Sequence, residues 1–332
     1  MNTESAKVLV TGGDGLLGSH LVRELIRRGY SVRVLIQPRC VSPTLNDLGV
    51  ERVEGDLLAE DRAVEDAFRG CAYVFHCAAV TDLRADPDLV WRVNLGGTQR
   101  VLDACIREGV RRLIFTGSAS SFQFGTREAP GDETGGFPPP YRGIPYMESK
   151  FRAMDLVRQC VQRGKIDAVI VAPTFMLGDL DSRPSSGELI RQFVARGLPF
   201  TSPGGRNFVC AADVAAAMVA AVASGRRGES YIAGGQNVTY LEFFSEVARA
   251  AGVKPPRWVL PKSLLVAAGA LGSATGRLRG SRPPLDLRMA RLALLGTYYD
   301  ARKAVAELGM PQTPLQTGIA KTLAGLREFG HI

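Results

Sequence analysis

Two hydrophobic periods alternate along the first half of the chain. Residues 7–11 (KVLVT) are an apolar run of strand length. After a glycine-rich turn, Leu17, Leu21, Val22, Leu25 and Ile26 fall on one face of a helix, which ends at Gly29-Tyr30. Residues 32–36 read as the next strand, and further strands are expected at 52–55, 73–76, 113–116 and 167–172. A helix is expected at 94–105, and a Pro- and Gly-rich loop, 126–145, leads into another that carries Tyr146. Such regular alternation predicts an α/β fold with a doubly wound parallel sheet. Beyond residue 175 the pattern loosens. A polar loop at 179–187 precedes a helix at 188–196, and an extended piece at 204–212 precedes an alanine-rich helix. A strand at 230–233, a helix at 240–251 and proline-broken helices complete the chain, with no internal repeat.

The punctuation between these elements carries the chemistry. Thr11-Gly12-Gly13-Asp14-Gly15-Leu16-Leu17-Gly18 links the first strand to the first helix. In a strand–loop–helix–strand unit, such glycines permit a tight turn and a close backbone approach to a pyrophosphate, and the helix N-terminus supplies N–H donors. This is a Rossmann-type dinucleotide fingerprint. Ligands of doubly wound sheets lie at the carboxyl ends of the strands, where Asp56, Ala78, Ser118, Pro173 and Thr174 fall. Tyr146 and Lys150 are four residues apart, one turn on the same helical face. A phenol near pKa ~10 is a poor proton donor at neutral pH, and a fixed ammonium beside it brings it towards the working range.

Taken together, these segments resemble the extended short-chain dehydrogenase/reductases over nearly the whole chain. The resemblance is carried by the glycine loop, Gly55-Asp56-Leu57, His76-Cys77-Ala78-Ala79, Asn94-Leu95-Gly96-Gly97-Thr98, Thr116-Gly117-Ser118 and Tyr146-x-x-x-Lys150. It is strongest to the dihydroflavonol-4-reductase-like and 3β-hydroxysteroid-dehydrogenase-like branch. The resemblance implies that Tyr146 is the acid/base, Lys150 its partner and a ribose ligand, and Ser118 the hydroxyl that orients the substrate oxygen. Asp56 is then expected on the adenine amino group. The dinucleotide site is expected to draw on Thr11, Gly12, Gly15, Leu16, Leu17, Gly18, Leu57, Ala78, Ala79, Asn94, Thr116, Pro173 and Thr174 as well. A Rossmann-type domain is expected at 1–175, with 209–235 returning to it. A smaller, mainly helical substrate lobe is expected at 176–208 and 236–332.

The expected activity is an NADP(H)-dependent oxidoreductase acting on a ketone/secondary alcohol pair of an apolar small molecule. NADP(H) is preferred to NAD(H) because the second strand ends Leu35-Ile36-Gln37-Pro38-Arg39, with no acid for a ribose 2′-OH and with Gln37 and Arg39 close by. Thr81, Phe122, Phe124, Phe175 and Met176, next to strand ends, are the expected substrate contacts. A sugar epimerase that retains NAD is the first rival. Its two substrate-diphosphate arginines are matched only by Arg206, since 287–292 lacks the second. A non-catalytic nucleotide sensor is the second, and has no need of a proton donor at Tyr146.

Charge and cysteine content narrow the setting. The six cysteines are scattered with no Cys-x-x-Cys pair, as expected of reduced thiols and not of a metal site. His76 lies in an apolar strand and is expected to be structural. No apolar run reaches spanning length and the N-terminus is polar, so a cytoplasmic protein is expected. A homodimer is expected through the helices at 94–107 and 146–161, and no nucleic-acid partner. The net charge of +8 lies wholly beyond residue 249. There the uncharged stretch 263–276 has basic residues on both sides. Weak contact with an anionic membrane is one expectation from this. A solvated cover for the substrate lobe and an anionic substrate or acyl carrier are the others.

Overall fold

The computed structural model describes residues 6–59, 62–279 and 285–332. Its main sheet contains β1 (Lys7–Thr11), β2 (Ser31–Ile36), β3 (Glu51–Glu54), β4 (Tyr73–His76), β5 (Arg112–Thr116), β6 (Ala168–Pro173) and a late strand, Ser230–Ala233. All are parallel, and in chain order they lie 7-6-5-4-1-2-3 across the sheet. Strand order reverses beside β1, between β2 and β4, which opens a crevice at the carboxyl ends of β1 and β4.

Period two divides the strands other than β3, a largely exposed edge strand, between two cores. Val8, Val10, Val34, Phe75, Ile114 and Val169 enter one. Leu9, Leu35, Val74, Leu113, Phe115 and Ile170 enter the other. Because both faces are covered, these strands read as continuous apolar runs. Helix α1 (Leu16–Arg27) brings Leu17, Leu21, Val22 and Leu25 to the first core. On the opposite face, α2 is Arg62–Phe68, and the helix expected at 94–105 begins earlier and is composite. Asp86 caps α3 (Pro87–Trp91), with Pro87 at the first helical position. A π-helical turn at Arg92–Gly96 then leads into α4 (Gly97–Arg107). Alongside runs α5 (Pro145–Gln162), burying Ala153, Met154 and Val157.

The remainder forms α6 (Gly187–Arg196), α7 (Ala211–Ser224), α8 (Tyr240–Ala251), α9 (Lys262–Arg279), α10 (Leu287–Ala293), α11 (Arg302–Leu308) and α12 (Leu315–Glu328). Its strands are β7 (Phe175–Leu177), β8 (Phe200–Thr201), β9 (Gly205–Cys210), β10 (Ser230–Ala233, already placed in the main sheet), β11 (Gln236–Thr239), β12 (Trp258–Val259) and β13 (Gly296–Thr297). Packing of α7 on α1 covers the first core. A small sheet of β7, β9, β11 and β13 and the helices α6, α8 and α12 enclose a third core around Phe193, Phe208, Phe243 and Leu323. The two-residue strands β8, β12 and β13 are too short to show a period, which is why they were not expected from the pattern. Among the described residues no helix is long and apolar enough to cross a membrane.

Candidate active site

The glycine loop is shaped by two close approaches. Gly12 has φ +68°, and a Cβ there would lie 2.7 Å from the backbone of Ala78. A Cβ on Gly18 would lie 2.1 Å from the carbonyl oxygen of Gly12. The loop thereby turns under β4 and launches α1, whose first turn has no side-chain cap and no acid. Those free N–H groups line a cleft of about 410 Å³. An uncapped helix N-terminus against a glycine turn fits the pyrophosphate of a dinucleotide.

The cleft runs along the strand ends. Thr11, Gly12, Gly15, Leu16, Leu17 and Gly18 line it from β1 and α1, Gln37 from β2, and Asp56 and Leu57 from β3. Ala78, Ala79 and Thr81 line it after β4, Thr116 and Ser118 after β5, and Pro173, Thr174 and Met176 after β6, with Tyr146 and Lys150 from α5. One Asp56 oxygen is held by the Leu58 N–H at 2.9 Å.

At the reactive end, burial and hydrogen bonding set the protonation states. Lys150 is 5% exposed and donates to the Thr116 carbonyl at 2.5 Å, its ammonium 4.8 Å from the Phe115 ring centre. Burial brings its pKa down to about 8. For the Tyr146 phenol, burial pushes the pKa up, while the Ser118 hydroxyl and the Arg206 guanidinium pull it down. The ammonium effect expected of Lys150 is not among those influences. The Ser118 Oγ lies 2.7 Å from that of Ser120. Beneath the cleft, His76 is held at 2.7 Å by Thr11 and 3.2 Å by Thr98, and burial lowers its pKa to about 3. It is a neutral floor residue, as its apolar strand implied.

Several expected contacts lie elsewhere. The Asn94 side chain is occupied by the Val80 N–H and carbonyl (2.8 and 3.0 Å) and by Ser149 Oγ (3.0 Å). Ser149 in turn donates to the Tyr146 carbonyl, so Asn94 ties the cleft wall to α5 instead of lining the cleft. Phe122 is in the core, 2% exposed, and Phe124 packs on Tyr141 at 5.6 Å. The alternation of β7 sends Met176 to the cleft and Phe175 to the other side, where Phe175 meets Phe208 and the Arg206 guanidinium. Arg39 is exposed with φ +61° and does not reach the cleft.

The loop after β7 supplies residues that motif reading missed. Asp181, Ser182, Arg183 and Ser185 line the cleft. Asp181 accepts from Ser185 N–H, Ser185 Oγ and Gly187 N–H, each at 2.9 Å, which folds the loop over the cleft. Arg183 reaches Asp14 of the glycine loop and the Cys40 sulfur. The signal was the Asp-x-x-x-Ser-x-Gly spacing, a side-chain-stabilised turn ahead of α6. Arg206, on β9, donates to the Tyr240 hydroxyl at 2.7 Å, with its guanidinium 5.2 Å from the Phe175 ring centre. Among the described residues no carboxylate pairs with Arg206, and no cluster of three metal-ligating side chains occurs.

Comparison with known proteins agrees with this geometry. The family model described as "NAD dependent epimerase/dehydratase family" matches residues 8–234. "Sterol demethylase protein B" of Methylococcus capsulatus is 32% identical, covering 98% of this chain and 99% of its own length. "3beta-hydroxysteroid-dehydrogenase/decarboxylase isoform 1" of Arabidopsis thaliana is 29% identical, covering 98% and 80%. The structure of the UDP-glucose 4-epimerase of Thermus thermophilus in complex with NAD superimposes with a TM-score of 0.76 at 27% identity, covering 97% of this chain and 99% of that one. With its glycine loop, parallel sheet and relatives in accord, the chain belongs to the NAD dependent epimerase/dehydratase family, the extended short-chain dehydrogenase/reductases.

Proposed function

We propose that the protein is an NADP(H)-dependent oxidoreductase that interconverts a ketone and a secondary alcohol on an apolar small molecule. The observation that carries this reading is the convergence of Ser118, Tyr146 and Lys150 at one end of a cleft whose other parts suit a dinucleotide. The dinucleotide, when bound, supplies or accepts the hydride. Tyr146 then gives a proton to the substrate oxygen in reduction and takes it back in oxidation. Ser118 donates a hydrogen bond to that oxygen and fixes its position. Lys150, charged below about pH 8 and one turn from Tyr146 on the same helix, places positive charge at the cleft for a ribose. The relatives named for sterols support an apolar substrate.

The preference for NADP(H) rests on two features. The end of β2 has no acid, and Arg183 lines the same cleft as Gln37. Arg183 also offsets the charge of Asp14, which would otherwise repel a 2′-phosphate. The same reading makes the protein a cytoplasmic homodimer through α4 and α5, with Ile106 of α4 left 38% exposed for such a contact. The substrate side is assigned to 176–208 and 236–332. Arg206 favours one second reading. A guanidinium without an acid near Tyr146 suits an anionic substrate, as in an epimerase that retains its cofactor.

Transfer of deuterium from labelled NADPH separates these readings. A reductase puts the label on carbon in the alcohol product and consumes NADPH one for one. Turnover with NAD retained and no net cofactor change would overturn the proposal in favour of epimerisation. In the same preparation NADPH is expected to bind about tenfold tighter than NADH, ~1.4 kcal/mol, and Arg183→Ala to narrow that gap.

A further inference from the structure

The C-terminal lobe has an apolar surface that the rest of the fold leaves uncovered. One narrow face of α9 packs on α10. Leu265 is buried there, and a Cβ on Gly269 would lie 2.5 Å from that of Ala290. On the opposite face Leu264, Ala267, Leu271 and Ala274 are all exposed, Leu264 by 57% and Leu271 by 66%. No charged residue occurs between Lys262 and Arg277. Helices that are apolar on every side belong in a core or against lipid.

A second element extends the patch. β12 pairs in parallel with β8, which sets Trp258 beside Phe200 in register. Register neighbours point to the same face of a sheet. Trp258 is 69% exposed and Phe200 40%. Only Leu260 and Pro261 separate β12 from α9.

The charges around the patch are nearly all basic, Asp286, which caps α10, being the one acid between residues 251 and 299. Segments 194–204 and 251–285 together contain seven Lys or Arg and no Asp or Glu. Of these, Arg196, Lys254, Arg257 and Lys262 are exposed on the described surface, and Arg282 lies outside the described residues. A second copy of this chain laid on the patch would bring two strongly basic rims together, with Asp286 the one acid beside them. An anionic lipid surface accommodates both the apolar face and the cations.

We propose that α9 and the β8–β12 ribbon dock the protein on the surface of an anionic bilayer. Trp258, Phe200, Leu264 and Leu271 enter the headgroup boundary, and Arg257 and Lys262 face lipid phosphates. The contact is peripheral, since no described helix can span. Through α10 it is tied to the segment ahead of α5: Arg288 donates to the carbonyl of Arg142, four residues before Tyr146. The docking itself stands independently of the reaction.

Flotation of the full chain with phosphatidylcholine vesicles, with and without phosphatidylglycerol, tests this. Binding is expected only with phosphatidylglycerol, and partitioning should fall at least about tenfold when salt rises from low to high. The Leu264→Glu/Leu271→Glu variant should lose at least about tenfold in partitioning with an unchanged melting temperature. If that variant fails to fold, Arg257→Glu/Lys262→Glu carries the test, with the same expected loss. Absence of binding to phosphatidylglycerol vesicles at low salt would overturn the proposal. So would undiminished binding by a folded variant, or a drop in oligomeric mass by light scattering in the leucine variant, which would mean that a second copy covers the face.

Discussion

Helices α5 and α9 are each 18 residues long, and they use their apolar residues in opposite ways. α5 turns Ala153, Met154 and Val157 into the sheet and holds Lys150 at the cleft, with a half-buried Tyr146 one turn before it. α9 buries Leu265 and Gly269 and exposes Leu264 and Leu271. The apolar stripe of α5 marks what the fold buries. On α9 the exposed leucines mark what the fold leaves for something else. An apolar residue in a helix thus has no fixed meaning until the neighbouring layer is known, and α9 lacks a layer on one side.

The sharpest contrast is in stability. Met154→Ala on α5 opens a cavity in the second core and should cost about 2–5 kcal/mol. Leu271→Ala on α9 should change stability by no more than about 0.5 kcal/mol. Urea denaturation of the two variants measures both, and equal losses would mean that α9 is covered within the folded chain.

The lysines extend the comparison. Lys262 on α9 is exposed, whereas Lys150 on α5 is buried. The depression of Lys150 from 10.5 to about 8 corresponds to roughly 3 kcal/mol of stability lost at neutral pH. Below pH 8 both folded and unfolded chains hold the proton, and the penalty is complete. Between about 8 and 10.5 the folded chain has released it while the unfolded chain has not, so stability rises with pH. Lys150→Met is therefore expected to melt higher than the parent at pH 7, by somewhat less than that sum because the bond to Thr116 is lost, and to lose its advantage by pH 10. A difference in Tm that stays constant from pH 7 to 10 would contradict this.

Legibility in the sequence follows the same divide. The strands of the main sheet other than the polar edge strand β3 could be read because both faces are buried, so each is a compact apolar run bounded by glycines or polar turns. The glycine loop could be read because Gly12 and Gly18 sit where a Cβ would strike backbone. Ser118, Tyr146 and Lys150 were legible as motif positions, and the fold brings them to one cleft. Phe122, Phe124 and Phe175 do not line the cleft, because nearness to a strand end says nothing about the side on which a ring leaves the backbone. Asn94 had the right neighbourhood, but its amide is used to join the cleft wall to α5. Arg183 was invisible as a contact, since it reaches Asp14 across 169 positions of sequence through a loop whose shape depends on Asp181. The α9 surface was foreshadowed by an apolar, uncharged stretch, 263–276, between basic residues. Its aromatic partner Phe200 could not be, because two-residue strands carry no periodic signal.

The central claim is that α5 carries the proton-transfer group. Tyr146→Phe removes only the phenolic hydroxyl, so single-turnover reduction of a ketone substrate by NADPH should slow by about 10²–10⁴-fold. NADPH affinity, measured by titration on the same sample, should change less than about threefold, because the glycine loop and the α1 N-terminus remain intact. Near-parent turnover with unchanged NADPH binding would contradict the account and move the proton donor away from Tyr146.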